Sequence, residues 1–287
     1  MNKIIDLHVH STASDGTFTP AELIVEAHKR QICAIAITDH DSIDGVSEAL
    51  AAGEKYGVEV IPGVELSTEY EETEIHVVGL FIDPENETLC GQLREFRDNR
   101  DNRNLKMIDR LREEGYAITA EELYERHPGA VLTRAHIARF LVDTKQVKDI
   151  PTVFAKLIGD GCKCYVDRMK ITPMKAVELI HEAGGVAVLA HPCLYKMKKS
   201  DLEEMVEKMV RAGLDAIEAV YSCNEGSDEK DYKAMAEKYG LLISGGSDFH
   251  GSNKPYIKLS IGKGNLCIPY EILEHIKFYH RNHELKK

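Results

Sequence analysis

The sequence predicts an α/β fold in which a mostly parallel sheet carries helices outside it and a helical insertion interrupts the chain. Three observations lead there. Apolar runs of strand length alternate with capped helical patterns over both ends of the chain. Between them, residues 86–165 are helical in pattern, charged and Arg-rich, with no strand-like run. The 287 residues, 43% hydrophobic, are also enough for one large domain with a smaller companion. Alternation of this kind fits either a barrel or a doubly wound sheet.

Taken in order, residues 3–9 read as a buried strand. "TPAELIVEAHKRQ" reads as a helix, with Thr19 as N-cap, Pro20 at the first helical position and Glu22 closing a capping box. "CAIAIT", 33–38, is a continuous apolar strand, and a helix over 45–56 ends near Gly57. "VEVIPGVEL", 58–66, is extended, and Pro62 is expected to break it. "EIHVVGLFI", 74–82, is the next strand, hairpinned through the acidic turn Tyr70–Thr73. The insertion opens with one long helical pattern ending at Gly115. "TAEELYERH", boxed by Thr119 and Glu122, and "TRAHIARFLVD" follow it. "RDNRDNRNLK", 97–106, reads as a solvated helical face with matched acids.

The alternation then resumes. "TPMKAVELIHEAGG" is a helix capped by Thr172, with Pro173 at its start and Gly184 as its stop. "VAVLAHP" is a buried strand. Residues 199–212 are helical, 214–221 extended and 227–239 helical. "LLISGGSDFHG" is a strand entering a glycine-rich turn, and "PYEILEHIKFYHRNH" closes the chain as a helix. No internal repeat is visible. The domain boundaries read as 1–85 with 166–287, and 86–165.

Bulk properties narrow the function. Lys and Arg total 36 against 48 Asp and Glu, a net charge of −12, which argues against a broad basic face for duplex DNA. An anionic substrate stays open, because bound metal ions reverse the local sign of a site. No stretch approaches the roughly 20 apolar residues of a membrane span, and Asp6 and His8 interrupt any leader-like run. Seven scattered cysteines do not suggest a disulfide framework and fit a reducing cytoplasm; Cys162 and Cys164 lack the second pair a zinc site would need.

The informative residues stand at strand ends. The first strand delivers His8, His10 and then Asp15. The second delivers Asp39, His40 and Asp41, and the third delivers Glu65. The fourth carries His76, the strand at 186–190 ends in His191, and the last delivers Asp248 and His250. Six of the 13 histidines fall there, all outside the insertion. Any one alone is most often a hydrogen-bonded structural residue, and Asp39 and Asp41 could be ordinary turn formers. Parallel α/β folds place active sites at this edge, however, and imidazoles and carboxylates converging there point to metal. His8 and His10, two apart on a strand, share a face. His28, His181, His275, His280 and His283 lie on helical patterns and read as surface or packing residues, and His127 as a loop residue.

"DLHVHSTASDG", "TDHD", "PGVE", "IH" at 75–76, "AHP" and "GGSDFH" together resemble the motif set of the PHP (polymerase and histidinol phosphatase) family. The resemblance covers the chain outside the helical block. It implies a distorted (β/α)7 barrel with a trinuclear metal centre at its C-terminal face. Carried over residue by residue, it implies one metal on His8, His10, Glu65 and Asp248, and a second on Asp15, His40 and His250. A third would sit on His76 and His191, with Glu65 bridging from the first. The donor set suits Mn, Fe or Zn. The insertion with "LTRAHIARFL" resembles the branch that removes the 3′-phosphate from nucleoside 3′,5′-bisphosphates and can trim short RNA from the 5′ end.

The expected reaction is phosphoester hydrolysis by a hydroxide held between metals, with no protein nucleophile. Other readings are a phosphatase for another small phosphomonoester, such as a nucleoside monophosphate or histidinol phosphate, and a non-catalytic module that metals merely stabilise. The insertion would cap the substrate. Arg134 and His136, at a helix start after Thr133, are candidates for the second phosphate; Asn224 is a further substrate contact, with Lys163 and Arg168 behind it. Asp6 could orient a ligand from behind, or be satisfied elsewhere. The expected partner is a small phosphorylated nucleotide or short single-stranded RNA, not duplex DNA or a membrane.

Overall fold

The computed structural model describes residues 3–128, 130–167 and 171–284, apart from the side chains of 283 and 284. In chain order the elements are β1 (Ile4–Val9), α1 (Pro20–Lys29), β2 (Ile32–Ile37), α2 (Val46–Tyr56), β3 (Glu59–Tyr70) and β4 (Thr73–Leu80). The helices α3 (Glu87–Glu113), α4 (Ala120–Arg126), α5 (Arg134–Asp143) and α6 (Ile150–Val153) follow, the last running into a π-helical turn at Phe154–Ile158. Then come α7 (Pro173–Glu182), β5 (Val186–Leu189), α8 (Lys199–Arg211), β6 (Ala216–Tyr221), α9 (Asp228–Tyr239), β7 (Leu242–Gly246) and α10 (Tyr270–Glu284).

The chain divides into two compact units, Met1–Gly91 with Lys170–Lys287, and Gln92–Met169. The first is built on one sheet whose spatial order is the chain order, β1 to β7. β4 pairs antiparallel with both β3 and β5, and every other pair of neighbours is parallel. The sheet curls until its edges meet. Val9 bridges Phe249, the His10 amide donates to the Phe249 carbonyl at 3.0 Å, and the Asp248 amide donates to the His8 carbonyl at 2.9 Å. The result is a nearly closed, distorted seven-stranded barrel with helices outside.

Local sequence explains most of the elements. The Thr19 hydroxyl accepts from the Glu22 amide at 3.2 Å and the Glu22 carboxylate accepts from the Thr19 amide at 2.9 Å, so α1 begins where the capping box stands. Glu71 and Glu72 both adopt positive φ, 47° and 64°, the handedness a two-residue hairpin needs to match strand twist. Pro62, however, does not break β3. Its pairing with Ile37 is the last to β2, and Gly63 opens the pairing to β4. At that hand-over a missing N–H costs least.

Inside the barrel Leu7, Ala34, Ala36, Ile61, Val78, Val188 and Val220 form one apolar cluster. Outside it Leu23, Ile24 and Ala27 of α1 join Ile35 and Ile37 of β2 and Ala49 of α2. A register shift between Asp6 and Val9 puts Leu7 in the inner cluster and Val9 in the outer one. The second unit has its own core of Met107, Leu111, Leu123, Ile137, Leu141, Val153 and Leu157.

One sequence expectation fails there. Arg100, Arg103 and Asn104 of α3 are buried rather than solvated, at i, i+3 and i+4. That spacing makes one helical stripe, and Asn104 Nδ2 donates to the Leu132 carbonyl at 3.0 Å. Composition alone could not distinguish this partnered stripe from an exposed one.

Because the Thr19 hydroxyl caps α1, Thr19→Ala should cost about 1 kcal/mol of stability. Urea denaturation should show it, with metal content unchanged.

Candidate metal centre

The centre is organised around Glu65, fully buried midway along β3. Its Oε1 lies 2.9 Å from His76 Nδ1, 2.9 Å from His191 Nε2 and 3.3 Å from His8 Nε2. Its Oε2 lies 2.9 Å from His40 Nδ1 and 3.3 Å from His10 Nε2. Asp248 Oδ1 stands 3.3 Å from both His10 Nε2 and His250 Nδ1, and Asp15 Oδ1 stands 3.2 Å from His250 Nε2. Among the described residues, four groups bring their ligating atoms within 4.8 Å of one another: His10, Asp15, His40 and His250; His8, Glu65 and His191; His8, His10 and Asp248; and His40, Glu65 and His76. All nine residues singled out from the sequence occur in them.

The fold explains the convergence. Parallel strands present their C-terminal ends at one barrel edge, which brings in His8, His10, His40, His191, Asp248 and His250. β4 runs the other way, so His76, near its start, reaches the same edge from its N-terminal end. β3 is long enough to pass the end of β2 and carry Glu65 beside His40. Three residues at or beside the site, Asp41, His191 and Asp248, hold positive φ of 48°, 24° and 56°. Non-glycine residues tolerate such backbone only where surrounding structure imposes it. Gly246 lets β7 approach: a Cβ there would fall 2.1 Å from His8 Cβ.

The electrostatics follow from packing acids and imidazoles out of water. Burial alone would raise the Glu65 pKa, but His40, His76 and His8 outweigh it and hold the carboxyl well below its usual range. Burial likewise works against Asp248, and Lys254 and His250 prevail to keep it ionised. For His76, burial is outweighed by Glu65 and Glu74, and its pKa rises to about 9. His10 moves the other way, well below its ordinary value, under burial and the neighbouring His250 and His40.

Several supporting residues were not singled out from the sequence. The buried Glu218 accepts from His8 Nδ1 at 3.1 Å and from the His191 amide at 2.7 Å. Its signal was a lone acid inside the apolar strand "AIEAVY". The Tyr221 hydroxyl donates to Asp248 Oδ2 at 2.7 Å and Lys254 Nζ to the same oxygen at 2.6 Å, leaving Oδ1 turned to the histidines. Asp39 is no mere turn former: it accepts from the Ser11 amide and from the Ser11 and Ser14 hydroxyls at 2.6–2.8 Å, which shapes the loop carrying Asp15. Asp41 accepts from the Ser67 amide at 2.9 Å.

The other candidates have these partners within their own units. Asp6 accepts from the Ser247 and Ser260 amides at 2.8 and 2.7 Å, clamping the barrel seam, with burial lifting its pKa to about 6. Asn224 Nδ2 donates to the Ala219 carbonyl at 2.8 Å. In the helical unit, Arg134 donates to Asp160 at 2.7 Å and lies beside the Phe154 and Tyr165 rings. His136 is buried there, its Nδ1 accepting from the Thr133 amide at 2.9 Å as the partner of that cap. Lys163 pairs with Glu114. Arg168 lies outside the described residues. His181, bonded to Asp215 at 2.7 Å, and His280, bonded to the Gly184 carbonyl at 2.7 Å, are packing residues.

The residues fit divalent cations. His8 Nε2, both His10 nitrogens, His40 Nδ1, His191 Nδ1 and Glu65 Oε2 are buried without a hydrogen-bond partner in the protein. Such groups are costly to leave unmatched unless something cationic binds among them. Mixed imidazole and carboxylate donors are what Mn, Fe and Zn accept.

An α/β barrel whose C-terminal edge gathers six imidazoles and three carboxylates defines a metal-binding hydrolase scaffold. The chain belongs to the PHP domain family, whose model matches residues 6–167, more than half of it. That match covers the first six candidate ligands in the chain and stops short of His191, Asp248 and His250. Over 254 residues the chain is 36% identical to a 3′,5′-nucleoside bisphosphate phosphatase of Chromobacterium violaceum, spanning 86% of this chain and 87% of that protein. It is also 36% identical over 259 residues to the 5′-3′ exoribonuclease Rnm of Escherichia coli, spanning 89% and 88%. Among solved structures, an amidohydrolase from Chromobacterium violaceum with bound sulfate and no metal superposes with a TM-score of 0.84. It is 33% identical, and the match covers 94% of this chain and 96% of that one.

Glu218 fixes the His8 tautomer by accepting a hydrogen bond from Nδ1–H, which leaves the Nε2 lone pair toward the cage. Glu218→Gln should therefore weaken Mn²⁺ binding about 10- to 100-fold. Competition titration against a chelator measures this, and an unchanged affinity would remove Glu218 from the centre.

Proposed function

We propose that this chain is a metal-dependent phosphoesterase that removes the 3′-phosphate from nucleoside 3′,5′-bisphosphates and trims short RNA from its 5′ end. The observation that carries the reading is the cage itself: the nine predicted ligands, from separate segments, gather in four overlapping groups, two of which hold the buried Glu65. The relatives named for bisphosphate and RNA hydrolysis support the substrate class.

We assign His8, His10, Asp15, His40, Glu65, His76, His191, Asp248 and His250 to the metals, three ions of Mn, Fe or Zn, with Glu65 bridging. When bound, these ions supply Lewis acidity toward the phosphoryl group and activate water for attack on phosphorus. The chain's own contribution is placement. Asp248 is held by Tyr221 and Lys254, His8 by Glu218, and the Asp15 loop by Asp39, so the ligating atoms are fixed before substrate arrives. A loose, highly charged phosphoryl transition state rewards such pre-positioned charge more than covalent chemistry. No protein nucleophile is required.

The helical unit is assigned to substrate capping, with Arg134 holding the second phosphate. A guanidinium at a helix N-terminus, capped by Thr133, favours an anion through both its fork of donors and the helix dipole. His136 supports that turn through its bond to Thr133, and Asn224 remains a candidate contact on the barrel side. The acidic composition argues against duplex DNA as substrate. Among the described residues no helix is long and apolar enough to cross a membrane, and no membrane partner is assigned. The free cysteines suit a cytoplasmic setting.

With Mn²⁺, adenosine 3′,5′-bisphosphate should release phosphate faster than adenosine monophosphates or histidinol phosphate, and chelator should abolish release. Faster turnover of either competitor would transfer the assignment to another phosphomonoester. Absence of turnover on all of them would favour a structural role for the metals. Arg134→Ala should lower kcat/KM for the bisphosphate about tenfold or more relative to a monophosphate, chiefly through KM; equal discrimination would remove Arg134 from the substrate site.

A further inference from the structure

The segment following the last candidate ligand has a chemistry unlike the rest of the chain. Residues 251–266 hold three lysines, Lys254, Lys258 and Lys263, and no acid, in a protein of net charge −12. Their aromatic residue, Tyr256, is 60% exposed, which is unusual for a large ring in an anchored loop. Lys263 Nζ lies 6.0 Å from the centre of that ring, so cation and aromatic face stand together.

The loop is tied to the barrel at both ends and begins beside the metal cage. Lys254 Nζ is bonded to Asp248 at 2.6 Å, and Tyr256, two residues on, is within about 7 Å of Lys254 along the chain. Asn253 Nδ2 donates to the Asp15 carbonyl at 2.7 Å and Asn265 Nδ2 to the Ser222 carbonyl at 3.1 Å, tying both ends to the barrel. Gly262 packs so closely that a Cβ would stand 2.7 Å from Ser222 Oγ. Between these ties Ile257 and Leu259 are buried, while Tyr256 is turned outward. The exposed ring is thus held by a stiff frame, and its ordering cost is already met before any ligand arrives.

A pre-ordered aromatic face flanked by cations binds single-stranded nucleic acid, the ring by stacking on a base and the lysines by meeting the backbone. We propose that this loop is a platform for the nucleotide on the 3′ side of the phosphoester being cleaved. Tyr256 stacks on its base, and Lys263 holds the phosphate that follows. The proposal rests on the phosphoesterase reading above and extends it. A mononucleotide bisphosphate has nothing beyond its 3′-phosphate and leaves the platform unused, whereas an oligonucleotide engages it. The loop therefore sets how strongly the site prefers RNA.

The test uses the full chain with Mn²⁺ and two substrates, a short unstructured ribonucleotide oligomer and adenosine 3′,5′-bisphosphate. Tyr256→Ala should reduce the ratio of oligomer to bisphosphate kcat/KM about tenfold, through the KM of the oligomer, as stacking of about 1–3 kcal/mol per base implies. Tyr256→Phe should retain the wild-type ratio, since a phenyl ring stacks as well. Lys263→Ala should flatten the salt dependence of the oligomer KM. An unchanged ratio in Tyr256→Ala overturns the proposal, as does a Tyr256→Phe variant as impaired as Tyr256→Ala. If no nucleotide is turned over, the phosphoesterase reading fails. The platform is then judged by fluorescence anisotropy of the labelled oligomer with chelator present, where Tyr256→Ala must still weaken binding.

Discussion

Five imidazoles, those of His8, His10, His40, His76 and His191, crowd within 3.3 Å of one buried carboxylate, Glu65. An ionised carboxylate taken out of water costs several kcal/mol unless positive charge surrounds it. In the protein alone that charge comes from protons on the imidazoles, so Glu65 remains ionised while His8 and His76 are pushed toward their charged forms; Lys254, with His250, does the same for Asp248. Cations bound among the same atoms would satisfy the same demand with the imidazoles neutral. The cage is thus a charge balance that divalent ions complete, and the surrounding fold is arranged to keep it closed.

That arrangement reaches well past the ligands. Glu218 serves His8 and His191 together from a strand whose neighbours are apolar, so a single buried acid couples two metal-facing groups. Tyr221 and Lys254 occupy one oxygen of Asp248 and thereby aim the other. Asp6 ties the seam between β1 and the chain beyond β7 through two amides. Each is a polar group whose burial would be costly alone and is acceptable because its hydrogen bonds are complete. The positive φ values at His191 and Asp248 fit the same picture, since strained backbone persists where neighbours leave no alternative.

Charge is distributed unevenly over the molecule. The chain as a whole is acidic, yet the loop after His250 carries lysines alone, and the cage invites cations. A polyanionic substrate approaching an acidic protein is repelled by most of its surface and attracted where metals and lysines gather. In the helical unit, buried arginines on α3 and the capped start of α5 add basic groups to a segment whose composition alone looked like solvated helix.

The sequence by itself determined the alternation of strands and helices, the capping box at Thr19, the helical character of the middle segment, and the ligating residue types at strand ends; at Thr119 only the N-cap half of the expected box forms, because the Glu122 carboxylate bonds the Thr119 hydroxyl instead of its amide. These are local properties: periodicity, cap chemistry and turn residues act over a few positions and can be read from one stretch of chain. It did not determine that β3 would run through Pro62, because that depends on which neighbour each half of the strand pairs with. Nor did it reveal Glu218, Tyr221 or Lys254, or that Asp6 and Asn224 would bond to backbone, since those roles exist only once distant segments meet. The hairpin at Tyr70–Thr73 already implied a reversed β4, but only the tertiary structure decided that this would bring His76 to the common edge and that Glu65 would stand at the centre. A ligand's identity is written in one residue, whereas its usefulness lies in distances between residues far apart along the chain, and only the closed barrel sets those distances.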